Sequence, residues 1–399
     1  MSRDRDLTPL DDLLDDEGYL IDADGTDSNQ RYLSGFDAPD SFVTLYLPAG
    51  SDDGDATGEI HLLVSSLEYG RARKESRAAS VSRLVEYDYR DRVAEHGSID
   101  GRARAVAAFL SDYGVSEVVV PSEFPLGVGD ALREVGVGVA ADERDVVTEI
   151  RATKTVEEVD HVREAQRANE AAMAAAERLI REATVGSEGT LRWDDAVLTS
   201  ERVKEEIEVT LLRQGCALDE TIVACGADAA DPHDRGSGPL QANEAIIVDI
   251  FPRSKATKYH ADMTRTFCKG EASDELRRRF DVTDEAREAA LAALEPGVTG
   301  GEVHDAVCDV YEEAGYPTLR SDPETEVGFI HSTGHGVGLD VHERPRVSPD
   351  GGELKPGHVV TIEPGLYDPS VGGVRIEDLA VVTDDGYENL TDYPVEFEV

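Results

Sequence analysis

The chain has 399 residues, 39 of them basic and 84 acidic, for a formal charge of −45. At about 150 residues per domain this length predicts two or three domains, and 40% hydrophobic residues suffice to build their cores, which excludes wholesale disorder. So acidic a surface repels phosphate, which excludes nucleic acid as a partner and disfavours an anionic membrane.

The N-terminal stretch MSRDRDLTPLDDLLDDEGYL is acidic and carries no apolar leader core, and no apolar run reaches the roughly 18 residues that a membrane span needs. The expectation is a cytoplasmic protein with no membrane partner. Residues 1–150 alternate short apolar strands, at 42–47 (FVTLYL), 60–64 (IHLLV) and 117–120 (EVVV), with helical stretches such as 101–110. This alternation reads as a small α/β domain without a chemical constellation; His61 and His96 stand alone. The composition shifts near Arg151. Residues 155–182 are rich in Glu, Ala and Arg, with Thr155 and Glu158 spaced as a capping box, so a long helix opens a second domain, 151–399. Further helices are expected at 201–213, 273–294 and 301–314, the last ending at Gly315. Strands are expected at 246–250, 259–267, 359–363 and 374–382. No internal repeat is detected. Cys216, Cys225, Cys268 and Cys308 form no CxxC pair and read as reduced core thiols.

Carboxylates stand inside the apolar strands of this second domain. Asp249 sits in AIIVDIF, where burial is expensive unless the group is paired or binds a cation. Asp262 follows in HADMTRTF, and strand alternation places His260, Asp262, Thr264 and Thr266 on one face. A turn at 252–257 suits a hairpin that sets Asp249 and Asp262 side by side. Glu363 ends the strand VVTIE, and Glu377 lies in VRIEDLAVV, sharing a face with Arg375, which can reach the cluster as an outer partner. His335 lies in HSTGHGVGLDVHE, whose three glycines allow close backbone approach; they argue against a zinc helix, and no strand–turn–helix context supports a nucleotide loop. Any one buried Asp can equally pair with an Arg, and a glycine-rich loop is commonly only a turn. Four carboxylates and one imidazole that converge repel one another as a bare cluster, and two divalent cations offset that charge, so a dinuclear site is the simplest account.

IVDIFP, ADMTRTF, HSTGHGVGLDVHE, TIEPGLY and GGVRIED, in this order, resemble the motifs of the metallopeptidase family with the pita-bread fold (M24), which includes methionine aminopeptidase, aminopeptidase P and prolidase. The resemblance covers roughly residues 154–399. It implies an α/β (α+β) chain with a C-terminal pita-bread domain behind a smaller creatinase-like domain, whose best local match is YLSGF at 32–36. That extra domain, which methionine aminopeptidase lacks, points to the Xaa-Pro peptidase branch. The implied metal ligands are Asp249, Asp262, His335, Glu363 and Glu377, with Asp262 and Glu377 bridging, Asp249 on one ion, and His335 and Glu363 on the other. The ions would sit about 3.5 Å apart and share a bridging hydroxide that attacks the scissile carbonyl. Glu363 would move the proton to the leaving nitrogen. His233, in a Pro-His pair, and His342 would bind the carbonyl oxygen and the oxyanion, His331 would line the substrate pocket, and Arg375 would orient the acids. Oxygen-rich ligation with one imidazole favours Mn²⁺, with Co²⁺, Zn²⁺ or Fe²⁺ compatible. The implied substrate is a peptide or dipeptide with proline in second position, and the implied assembly is a homodimer. Alternatives are a catalytically inactive peptide-binding pita-bread protein and a metal-free creatinase-type hydrolase; intact ligand positions argue against both. Prolidase and aminopeptidase P specificity are not separated by any motif.

Lysine occurs only at positions 74, 154, 204, 255, 258, 269 and 355, the other basic residues being arginine. This acid-rich, lysine-poor balance resembles proteins of halophiles, whose cytoplasm holds molar salt. Self-repulsion is screened as the Debye length shrinks to about 3 Å at 1 M salt. The melting temperature should therefore rise from dilute buffer to molar KCl; a flat profile in a thermal-shift titration would overturn that expectation.

Overall fold

A computed structural model describes residues 5–15, 17–49 and 58–399; the first four residues of the acidic N-terminal stretch lie outside them. The chain forms two compact units, Arg5–Arg151 and Ala152–Val399. Among the described residues no helix is long and apolar enough to cross a membrane.

The first unit is built on a six-stranded sheet in the order Ser80–Arg83, Glu59–Val64, Phe42–Leu47, Gly18–Ala23, Glu117–Val120, Gly138–Ala141. The central pairs are antiparallel and the outer ones parallel. Helix Ser98–Asp112 buries Ala103, Val106, Phe109 and Leu110 against Leu20, Val43, Leu45 and Leu63 of the sheet. His61 is a core histidine, its Nδ1 2.8 Å from the Ser80 hydroxyl and its Nε2 3.5 Å from the Glu59 carboxylate.

In the second unit, helix Val156–Glu182 begins where the capping box places it: the Thr155 hydroxyl accepts the Glu158 N–H at 3.3 Å, and the Glu158 carboxylate accepts the Thr155 N–H at 2.9 Å. The side-chain oxygens of Thr199, Ser273 and Thr299 cap helices Ser200–Arg213, Asp274–Ala292 and Gly300–Glu313, Thr299 with the reciprocal bond from Glu302 as well. The first two of these four helices cover an antiparallel sheet of Thr221–Cys225, Ile246–Ile250 and Met263–Phe267. The last two cover a five-stranded sheet in the order Glu343–Val347, Gly334–Gly336, Val359–Ile362, Asp378–Thr383, Gly386–Asn389.

Strand alternation gives each sheet two different faces. Ile246, Val248 and Ile250 pack under the first helix pair, so Ile247 and Asp249 face the other way, Ile247 against Tyr367. Val360 and Ile362 pack under the second pair, which turns Thr361 inward. The inner faces carry the polar groups.

Three expectations are corrected here. The strand predicted over 259–267 begins at Met263, and its register sets Asp249 opposite Thr264, not Asp262. His260 belongs to an irregular approach that bridges to Arg253 and donates its backbone N–H to the Gly338 carbonyl. The strand predicted over 374–382 is two strands, Gly372–Arg375 and Asp378–Thr383, in different sheets. The chain breaks at Ile376–Glu377 because the Glu377 N–H bonds to the Thr264 carbonyl of the first sheet at 3.0 Å. Arg375 and Glu377 thus do not share a continuous strand face.

Arg265 fastens that break. Its buried guanidinium donates to the carbonyls of Thr264, Glu377, Tyr393 and Pro394 and to the Asp378 carboxylate, so every donor edge of the fork is used. Asp378 in turn accepts from Arg287 at 2.7 Å and Asn389 at 2.9 Å. Removing one partner of such a buried network strands the others. Asp378→Ala should cost about 3–5 kcal/mol in urea unfolding at molar KCl, whereas Arg133→Ala, at the exposed pair with Asp130, should stay within about 0.5 kcal/mol.

Candidate metal centre

The inner faces meet at the carboxylates. Asp262, His335 and Glu377 each offer a ligand atom, and these atoms lie within 4.8 Å of one another. His335 Nε2 is 3.3 Å from Glu363 Oε1 and 3.8 Å from Asp262 Oδ2. Asp249 is turned toward Arg375, whose Nη2 donates to its Oδ2 at 2.7 Å. Of the five residues read from the sequence as ligands, Asp262, His335 and Glu377 thus form a tight trio, Glu363 stands against His335, and Asp249 is held by Arg375; His335 and Glu363 are partly buried and the other three buried.

Local backbone chemistry fixes each. Gly334 lets the His335 strand lie against its neighbour, since a Cβ there would stand 1.9 Å from the Thr361 carbonyl oxygen. The His335 N–H then donates to the Thr361 hydroxyl at 3.0 Å, and that hydroxyl donates to Glu363 Oε1 at 3.3 Å. The Glu363 N–H is taken by the Thr333 carbonyl at 2.8 Å. Glu377 Oε2 accepts from the Thr264 hydroxyl at 2.9 Å.

The electrostatics are those of a site built for cations. Burial, then the charges of Asp249 and Glu363, raise the Asp262 carboxyl well above the usual range. Burial, then Asp262 and Glu363, do the same to Glu377, and burial raises Glu363 to about 7. Asp249 Oδ1 and Glu377 Oε1 are buried without a hydrogen-bond partner. Burial also lowers the His335 pKa. The Gly336 carbonyl, 3.2 Å from Nδ1, can only accept, so Nδ1 carries a proton and Nε2 faces two carboxylates. Once these carboxyls ionise, a lone pair on Nε2 facing their oxygens is repulsive unless a cation lies between them. These donors fit divalent metal ions, hard oxygens with one imidazole whose outer nitrogen is fixed by a carbonyl.

Around the cluster, Arg375 is buried and also donates to the Thr264 hydroxyl at 3.2 Å, the Pro232 carbonyl at 3.1 Å and the Tyr367 hydroxyl at 3.0 Å. The Pro232 contact ties down the loop of His233, an exposed side chain whose backbone N–H donates to Asp231. His331 Nδ1–H donates to the Ser332 carbonyl at 2.7 Å, which leaves Nε2 to accept the Tyr367 O–H at 3.0 Å. Burial, then Arg375, lowers its pKa to about 3. His331 is thus a neutral wall with both nitrogens engaged. His342 stands edge-on to His335, ring centroids 4.2 Å apart at 81°. Tyr367 and the threonines at 333 and 361 were not singled out from the sequence, and Thr264 only as a neighbour of Asp262 on its strand face. Tyr367 lies within the motif TIEPGLY, the one signal that pointed toward it.

The model of metallopeptidase family M24 matches residues 160–384. The chain is 34% identical over 252 residues to the Xaa-Pro dipeptidase of Pyrococcus furiosus, a match covering 62% of this chain and 65% of that protein. It is 30% identical over 284 residues to the Xaa-Pro dipeptidase of Pyrococcus horikoshii, covering 70% and 74%. The fold superposes on the crystal structure of the prolidase from Pyrococcus horikoshii with a TM-score of 0.75 at 26% identity, over 98% of this chain and 99% of that one. The mixed α/β architecture with its N-terminal domain is that of the pita-bread prolidases.

Metal removal should expose the carboxylate repulsion. A cation in 100-fold excess over its Kd adds about 2.7 kcal/mol of stability, so chelation should lower the melting temperature and Mn²⁺ should restore it. Carboxyls whose folded pKa is raised stabilise the metal-free protein below their unfolded pKa and lose that contribution as pH rises through the folded value, about 7 for Glu363. The chelation-induced drop should thus be larger at pH 8 than at pH 5.5 by differential scanning calorimetry.

Proposed function

Because the chain belongs to metallopeptidase family M24, we propose that it hydrolyses the Xaa-Pro bond of dipeptides, with two divalent cations held by Asp249, Asp262, His335, Glu363 and Glu377. The observation that carries this reading is the convergence of His335 Nε2 on Asp262 and Glu363, beside bare oxygens of Asp249 and Glu377. The dipeptide preference follows the Xaa-Pro dipeptidases to which the chain is similar. Mn²⁺ is the favoured ion on the oxygen-rich donor set. On the family resemblance and the composition, the working form is a cytoplasmic homodimer at high salt.

When bound, the cations supply Lewis acidity to the scissile carbonyl and lower the pKa of water so that a nucleophile forms near neutral pH. The chain's own residues supply the rest. Glu363, held at a strand end by the Thr361 hydroxyl, takes the proton of the attacking water and returns it to the proline nitrogen, which leaves as an amine. His342 and His233 donate to the carbonyl oxygen as it gains negative charge. Arg375 locks Asp249 and, through Tyr367, the orientation of His331, so the pocket wall keeps its shape while charge moves beside it. Proline presents a tertiary amide with no N–H, so recognition falls on the carbonyl and on the shape of the pocket.

Glu363→Ala and His335→Ala should each lower Xaa-Pro hydrolysis on the order of 10²-fold or more, with His335→Ala also losing bound metal by elemental analysis. Wild-type rates in either variant would refute the site. With each metal in molar KCl, Xaa-Pro should be cleaved faster than Xaa-Pro-Yaa; the reverse order would make the activity that of an aminopeptidase.

A further inference from the structure

A buried ion pair lies outside the ligand set yet touches the segment that joins the ligand position His335 to His342. Lys154 directly precedes Thr155, the cap of the long helix, and its backbone N–H donates to the Gly357 carbonyl at 2.9 Å. Its ammonium donates to the Glu343 carboxylate, both side chains being almost wholly buried, and to the Ala152 carbonyl at 3.3 Å. Glu343 follows His342 in the chain. Its carboxylate lies directly over Gly338, where a Cβ would stand 2.3 Å from Oε1, and its Oε2 is 3.4 Å from the Asp340 N–H. The Gly338 N–H closes the same turn on the Asp340 carbonyl at 3.0 Å, and the His260 N–H holds the Gly338 carbonyl at 2.8 Å. The carboxylate is therefore the plug of the loop 338–343, and that loop carries His342 to its place against His335. Breaking the pair leaves a negative charge in a dry site with its ammonium gone, which favours a loop conformation that brings the carboxylate closer to water.

We propose that the Lys154–Glu343 pair positions the imidazole of His342, so that Lys154 acts on the reaction through His342. The kinetic part of this proposal rests on the peptidase reading above. Lys154 is a positioning residue: it sits behind the loop, and its charge is spent on Glu343 rather than on substrate.

The test is a cycle of the wild type, Lys154→Met, His342→Ala and the double variant, assayed on an Xaa-Pro dipeptide with metal content measured in each. Lys154→Met should lower kcat at least about tenfold with KM within about twofold and wild-type metal content. The double variant should be no slower than His342→Ala alone, because Lys154 has nothing left to position. Losses that multiply, or a Lys154→Met variant that only melts earlier, would overturn the proposal. Should Lys154→Met fail to fold, Lys154→Met with Glu343→Gln removes the stranded charge as well and should fold with kcat within about threefold of wild type; a tenfold loss of kcat at wild-type metal content in that pair refutes the stranded charge as the cause. Long-range nitrogen–proton NMR of the imidazoles gives a readout independent of turnover: the signal absent in His342→Ala should shift in Lys154→Met. An unmoved His342 signal sinks the positioning role, whereas a wild type that leaves Xaa-Pro intact sinks the peptidase reading and not this one.

Discussion

Keeping four carboxylates out of water in one place is the constraint on which the catalytic unit is organised. Asp249, Asp262 and Glu377 are buried, and Glu363 closes the group. Among the described residues Arg375 is the guanidinium bonded to the cluster, and a single positive charge cannot balance four negative ones. The surrounding structure answers with fixed dipoles and hydroxyls: Thr264 toward Glu377, Thr361 toward Glu363, and the Thr333 carbonyl on the Glu363 backbone. Beneath them Arg265 pins the carbonyls of Thr264 and Glu377, so the seam between the two sheets cannot widen to admit water. What remains of the imbalance is the affinity of the site for cations.

The two halves of this unit repeat one physical plan without a detectable sequence repeat. Each is a pair of capped helices over an antiparallel sheet, apolar on the helix side and polar on the other. The shared plan lives in which face each residue takes, and very different residues meet it: Ile247 and Asp249 in one sheet, Thr361 in the other. The acidity of the chain divides along the same line. Most of its 84 acidic side chains lie elsewhere, whereas those of the inner faces are few and individually placed.

Much of this was legible in the sequence because it breaks a rule. A carboxylate between isoleucines, as at Asp249, is conspicuous, and Thr155 with Glu158 states a helix start in four residues. Register and chain breaks were not legible. Nothing in VRIEDLAVV announces that the chain leaves one sheet after Arg375 and joins another at Asp378, since the cause is a hydrogen bond to Thr264, more than a hundred residues away. Tyr367, Thr333 and Thr361 escaped notice because hydroxyls are common and become specific only when a neighbour arrives. The Lys154–Glu343 pair, 189 residues apart, has no local pattern at all.

The glycines on either side of His335 have a consequence for how such a protein can change. A Cβ at Gly334 would meet the Thr361 carbonyl, and one at Gly336 the Arg344 carbonyl at 2.1 Å. Backbone, not side chain, is the neighbour on both sides, so no compensating substitution nearby can make room. The imidazole is therefore carried on a strand that offers variation no foothold. A library aimed at a new metal or a new leaving group would be wasted there; the adjustable parts are the hydroxyls at 264, 333 and 361 and the loop 338–343.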